Sequence, residues 1–125
     1  MKMLRGTGHA DAHKSDTDLP NYLVDGEAVE VAFKMGSGYL AVTNRRLILM
    51  AKSGMTASTK EYQSIPYGRI GSFTATGKGS FSMGGSSELR IRVQGLTDEV
   101  VMTFSDNDSF IAVQRGLAAI VCPVM

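Results

Sequence analysis

The stretch GYLAVTNRRLILM (Gly38–Met50) is two apolar runs joined by a polar turn that carries adjacent arginines. Tyr39 to Thr43 and Leu47 to Ala51 read as two strands of a hairpin, with Thr43 to Arg46 as the turn. In a strand, successive side chains point to opposite faces. Leu40 and Val42 therefore share one face and Tyr39 and Ala41 the other, while Leu47 and Leu49 alternate with Ile48 and Met50. A single-layer wall needs only one apolar face, so this hairpin is greasy on one side too many. The surplus calls for a cover, either the N-terminal segment around Leu19 to Leu23 or another subunit. Tyr39, Ala41, Ile48 and Met50 are accordingly the candidate subunit contact.

A pair of guanidinium forks suits carboxylate or phosphate, so Arg45 and Arg46 could clamp an anion. Thr43 and Asn44 are turn formers, and charges at a hairpin end discourage edge pairing. With a short turn, Arg46 already lies in the next strand and can lay its stem on an apolar neighbour. A structural role is the favoured reading of the pair.

Outward from the hairpin, Val29, Val31 and Phe33 alternate with Glu30, Ala32 and Lys34 as a preceding strand. Lys60 to Ile65, Ile70 to Thr76, Leu89 to Val93 and Val100 to Phe104 supply four more, with Pro66 ending regular pairing. The period then changes. Phe110, Val113, Leu117 and Ile120 recur at spacings of three and four behind a Ser105 or Asp106 cap, which predicts an amphipathic helix. Asp18 is placed to cap a short helix with Pro20 in its first turn. Residues 1–17 hold little apolar content and are expected to form a flexible arm, leaving 18–125 as the domain. The fold class is mainly β, about seven antiparallel strands closed by a C-terminal helix.

With 125 residues there is room for one core, and thirteen Lys plus Arg against twelve Asp plus Glu give a formal charge of +1. No global field favours nucleic acid or an anionic membrane, so any such binding must be local. The single Cys122 excludes an internal disulfide framework and suits a reducing compartment. Residues 1–15 lack an apolar signal core, and no run approaches a membrane span, so a cytoplasmic location is expected. GSGYLA does not open a helix, and GSFTATGKGS has the wrong spacing for a phosphate loop, so both nucleotide motifs are rejected. His9 and His13 offer only two ligands on the arm, too few for a metal site. No Ser or Cys can be paired with a His inside the domain, so no catalytic residues, no metal and no cofactor are assigned. Lys34, Lys52 and Lys78 sit on loops or strand ends that an up-and-down chain could gather at one end. They are the candidate anion or lipid-headgroup site.

Five segments in order, LVDGEAVEVAF (23–33), AVTNRRLILM (41–50), KEYQSIPYGRIGSF (60–73), SELRIRV (87–93) and the terminal helix, resemble the bacterial PH-domain family from about Leu19 to Val121. The resemblance implies a pleckstrin-homology-like barrel of two near-orthogonal sheets with a capping helix. It also implies a homo-oligomer, in some cases a ring, with no catalytic residues and no common ligand. It does not carry over the phosphoinositide site of eukaryotic PH domains, since KMGSG supplies only Lys34 and the chain has no Trp. The expected function is a non-enzymatic binding or scaffold module whose partner is itself. The alternative is a binder of an anionic headgroup or small molecule at the loops.

Overall fold

The computed structural model describes residues 11–53, 59–77 and 86–122. Its two units divide after Pro66. The first carries a four-stranded antiparallel sheet, β1 (Val29–Met35), β2 (Gly38–Thr43), β3 (Arg46–Ser53) and β4 (Thr59–Pro66), in sequential order. A short 3-10 helix, Leu19–Tyr22, precedes it. The second unit carries β5 (Ile70–Thr76), β6 (Ser87–Val93) and β7 (Val100–Phe104), also antiparallel and sequential, followed by α1 (Asn107–Val121). Each strand foreseen in the sequence is present, with ends displaced by at most two residues.

Register explains the double-sided hairpin. Val31 faces Val42 and Val42 faces Leu47, which faces Ile65, so one side of the sheet is a continuous aliphatic row. On the other side Ala32 faces Ala41 and Ala41 faces Ile48, while Lys34, Tyr39, Met50 and Tyr62 line up across all four strands. Cross-strand partners share a face, so each side is fixed by pairing as well as by alternation. Gly38 is required where β2 meets β3, because a Cβ there would overlap the Met50 carbonyl. Asn44 and Arg45 make the link between β2 and β3.

In the second unit β6 buries Leu89, Ile91 and Val93 and leaves Arg90 and Arg92 exposed, so its sheet has one wet face. α1 covers the other requirement of that sheet. Phe110, Ala112, Val113 and Leu117 are buried, and the Phe110 ring lies 5.8 Å from that of Phe104. The Asp106 carboxylate accepts from the Asp108 amide at 3.0 Å and from the Ser109 hydroxyl at 2.8 Å, the expected N-cap.

Within the stretch expected to be an arm, Asp11 bridges to Ala32 and Asp16 is buried. One expectation is corrected. Asp18 does not cap the 3-10 helix with its side chain, because its carboxylate is taken by Lys60 Nζ at 2.7 Å.

Candidate functional site

The polar chemistry of the first unit gathers where residues 11–28, here called the strap, run over the Tyr39–Met50 face of the β1–β4 sheet. The strap brings few large apolar groups. Leu19 is buried, and Ala12 and Leu23 pack beside it over Ala32, Tyr39, Ala41, Ile48 and Met50. Two acidic side chains hold it down.

Asp16 Oδ2 accepts from the hydroxyls of Tyr39 and Tyr62, both at 2.7 Å, and Oδ1 accepts from Lys60 Nζ at 3.0 Å and the Asp18 amide at 3.1 Å. Burial pushes this carboxyl up, but the Tyr39, Tyr62 and Lys60 bonds outweigh it and hold the group at about 2. The same contacts raise both phenols, burial being the largest cause in each, and the Asp18 and Asp16 bonds raise Lys60. Tyr22, from the strap, stacks on Tyr62 with ring centroids 4.3 Å apart.

Glu27 is the second anchor. Arg46 Nε and NH2 each donate to it at 2.9 Å, and the Thr43 hydroxyl and Val24 amide add bonds of 2.8 and 3.1 Å. The Arg46 fork is the main cause that holds Glu27 at about 2, against the opposing effect of burial. The remaining Arg46 donors go to the Ser64 hydroxyl at 2.8 Å and the Tyr22 carbonyl at 2.7 Å. Arg46 thus finishes the hairpin and ties it to the strap. Arg45 is exposed, its backbone N–H donating to Thr43 Oγ1 at 3.0 Å.

The other basic residues of this face divide sharply. Lys60 and Arg46 are matched by Asp16, Asp18 and Glu27. Lys34 and Lys52 are exposed, and no acidic side chain pairs with either among the described residues. Both line a cavity of ≈ 300 Å³ whose floor is Gly38, Tyr39 and Met50 and whose rim includes Ser15 and Ser37. Asp11 also borders it and pairs with Lys14 at 3.3 Å. Lys34 and Lys52 stand on strands β1 and β3 and not on loops, and they border this one cavity, while Lys78 and His9 lie outside the described residues.

Tyr39, Ala41, Ile48 and Met50 are 2, 0, 1 and 5 % exposed, covered by the strap of their own chain. The surplus apolar face is real, but with the strap in place these four offer no surface to a second subunit. His13 Nδ1 is buried without a hydrogen-bond partner, and burial lowers its pKa. Among the described residues no group of three or more His, Cys, Asp or Glu could hold a metal. Asp16, Glu27, Lys60 and Tyr62 escaped the sequence reading, since their partnerships join segments that no local pattern connects.

No described helix is long and apolar enough to cross a membrane. The sequence profile of the bacterial PH domain matches residues 1–121, which includes the part of the strap before Leu19 that the shorter resemblance left out. The chain is 38% identical over 104 residues to the uncharacterized protein YjqA of Bacillus subtilis (strain 168), covering 82% of each. Its fold is similar to that of a pleckstrin homology domain from Shewanella amazonensis SB2B, with a TM-score of 0.75, 29% identity and 93% of each chain covered. It is also similar to a DUF1696 family protein with a pleckstrin-homology domain from Shewanella loihica PV-4, at a TM-score of 0.73 and 26% identity over 92% of this chain and 99% of that one. Strand order, terminal helix and these matches agree: the chain belongs to the bacterial PH-domain family.

Proposed function

We propose that this chain is a non-enzymatic binding module of the bacterial cytoplasm that self-associates and works as a homo-oligomeric scaffold. The non-enzymatic part is supported by the buried carboxylates. Asp16 and Glu27 have both oxygens engaged by structural donors, leaving neither free to move a proton for a substrate.

Self-association is supported by one observation, the character of β7. Edge strands are ordinarily blunted by charge, proline, bulges or a cover. β1 has a bulge between Val29 and Val31 and the Asp11 bridge, β4 carries Lys60, Glu61 and Pro66, and β5 has a bulge between Ile70 and Ser72. β7, Val-Val-Met-Thr-Phe, has no charge, proline or bulge, and among the described residues it is paired on one side only, to β6. Val101 is 51 % exposed on it. Such an edge fits a strand from a second copy, in which backbone hydrogen bonds supply affinity and Val101 supplies apolar contact. A two-fold contact gives a dimer, whereas pairing with a different edge of the neighbour propagates head to tail and closes as a ring.

Light scattering tests this. The wild type is expected at a multiple of 13.4 kDa, and Val101→Lys is expected to shift it to the monomer mass. A wild-type mass of 13.4 kDa at every concentration would overturn the scaffold.

A further inference from the structure

We propose that the Lys34–Lys52 cavity on the strap-bearing face of the β1–β4 sheet binds a phosphate-class oxyanion. Lys34 and Lys52 reach it from β1 and β3, on either side of the Tyr39–Met50 pair that forms the floor. They are held to one face by register, so their convergence does not depend on a loop conformation. Every other lysine or arginine that the sheet directs to this face, Arg46 and Lys60, is neutralised by a strap carboxylate. Two uncompensated ammonium groups across one cavity repel one another, and a doubly charged oxyanion between them removes that repulsion while accepting their hydrogen bonds.

The rim fits such an occupant. Ser15 and Ser37 bring hydroxyls, and Ser37 Oγ makes only a long 3.5 Å contact with the Lys52 carbonyl. The apolar floor of Tyr39 and Met50 excludes water beneath, which strengthens charge pairing above it. A volume of ≈ 300 Å³ lies at the small end of the range of about 300–1,000 Å³ for small-molecule pockets, room for a phosphate with a short organic tail. Asp11 opposes the ligand from the rim. Its charge is shared with Lys14, and both side chains are largely exposed, so it tunes the affinity without closing the site. The phosphate can come from a soluble phosphomonoester or from a phospholipid headgroup.

The full-length chain, 15N-labelled, is titrated with glycerol 3-phosphate while amide shifts are followed, and in parallel is sedimented with phosphatidylglycerol/phosphatidylcholine vesicles. Saturable shifts centred on Ser37 and Gly38 are expected. Lys34→Ala/Lys52→Ala should weaken binding at least about tenfold, whereas Arg45→Ala, outside the cavity, should leave it unchanged. Asp11→Asn should tighten it by about two- to threefold. Binding of the soluble phosphate alone identifies a metabolite site, and vesicle sedimentation lost in the double variant identifies a lipid site. Neither probe binding, or equal binding by the wild type and the double variant, overturns the proposal. The amide spectrum of each variant reports directly that it is folded. Assembly mass is read separately, so this site can fail while the scaffold stands.

Discussion

β2 and β6 are both central strands of sequential antiparallel sheets, yet they meet their surroundings differently. β2 buries every side chain from Tyr39 to Thr43, on both faces, whereas β6 alternates buried Leu89, Ile91 and Val93 with solvated Arg90 and Arg92. The difference originates in composition. A strand with polar residues at every second position needs a core on one side, and one without them needs a second layer. In the first unit that layer is the strap, short of apolar residues and held instead by two acids. The lesson is that a surplus apolar face need not mean a partner: a segment of low hydrophobicity suffices when its charges find buried partners.

The contrast is broken most severely by placing a charge on the second face. Ile48→Asp would bury a carboxylate in the cluster with Leu19 and Leu23, where the cations that line a pocket with it, Arg46 and Lys60, are already taken by Glu27, Asp16 and Asp18. The expected loss is at least about 4 kcal/mol, or release of the strap, read from urea unfolding and from amide exchange over residues 12–23. Arg92→Ala, on the wet face of β6, should stay within about 0.5 kcal/mol. Equal effects of the two would mean that the strap does not cover β2 and β3 in solution.

Next in size is the Arg46 anchor. Arg46→Met keeps the stem but leaves Glu27 buried with the Thr43 and Val24 donors alone. An orphaned buried charge makes this cost about 3 kcal/mol, and Glu27→Gln in the same chain should recover part of it. Arg45→Met, one residue earlier and exposed, should be close to neutral. That pair of substitutions separates the two arginines that the sequence presents as equivalent.

Much of the fold was legible because it is written in apolar periodicity. Alternation located β1 and β6, the change of period at Ser105 located α1 behind its Asp106 cap, and the double-sided hairpin announced a covering layer. The identity of that layer was not legible. Residues 11–17 look unstructured by composition, and their anchor Asp16 bonds to Tyr39, Lys60 and Tyr62, which are 23, 44 and 46 residues away. A buried carboxylate and a solvated one have the same letter, and only the tertiary fold reveals which is which. Lys34 and Lys52 were legible as basic residues, but their difference from Lys60 depends on where the strap's carboxylates fall.

The strap's anchors also give the first unit a defined acid response. Asp16 and Glu27 both titrate below their ordinary values when folded, so their stabilisation is full above the unfolded carboxylate range near pH 4 and is lost as the pH falls towards about 2. Asp16→Asn should cost about 2 kcal/mol at pH 7, and the gap from wild type should narrow across that window, measured by urea unfolding at each pH. A constant gap would mean that the ionisation of Asp16 adds nothing to stability.

His13, in the same strap, gives a smaller effect in a different window. Burial lowers its pKa, with Asp11 raising it and Lys14 lowering it to lesser extents, and Nδ1 has no acceptor to receive a proton. The unfolded chain therefore takes up a proton more readily than the folded one, so stability is complete above the unfolded value near 6.5 and declines as the pH falls through it. The decline ends once the folded imidazole is protonated too, just as the acid loss at the carboxylates ends once the folded carboxyls are protonated. His13→Asn removes this titration and should flatten the stability profile over the pH interval just below the unfolded value near 6.5. Because Asp16 and Glu27 stay ionised throughout that interval, a slope surviving in His13→Asn would have to come from a group outside the strap's two anchors.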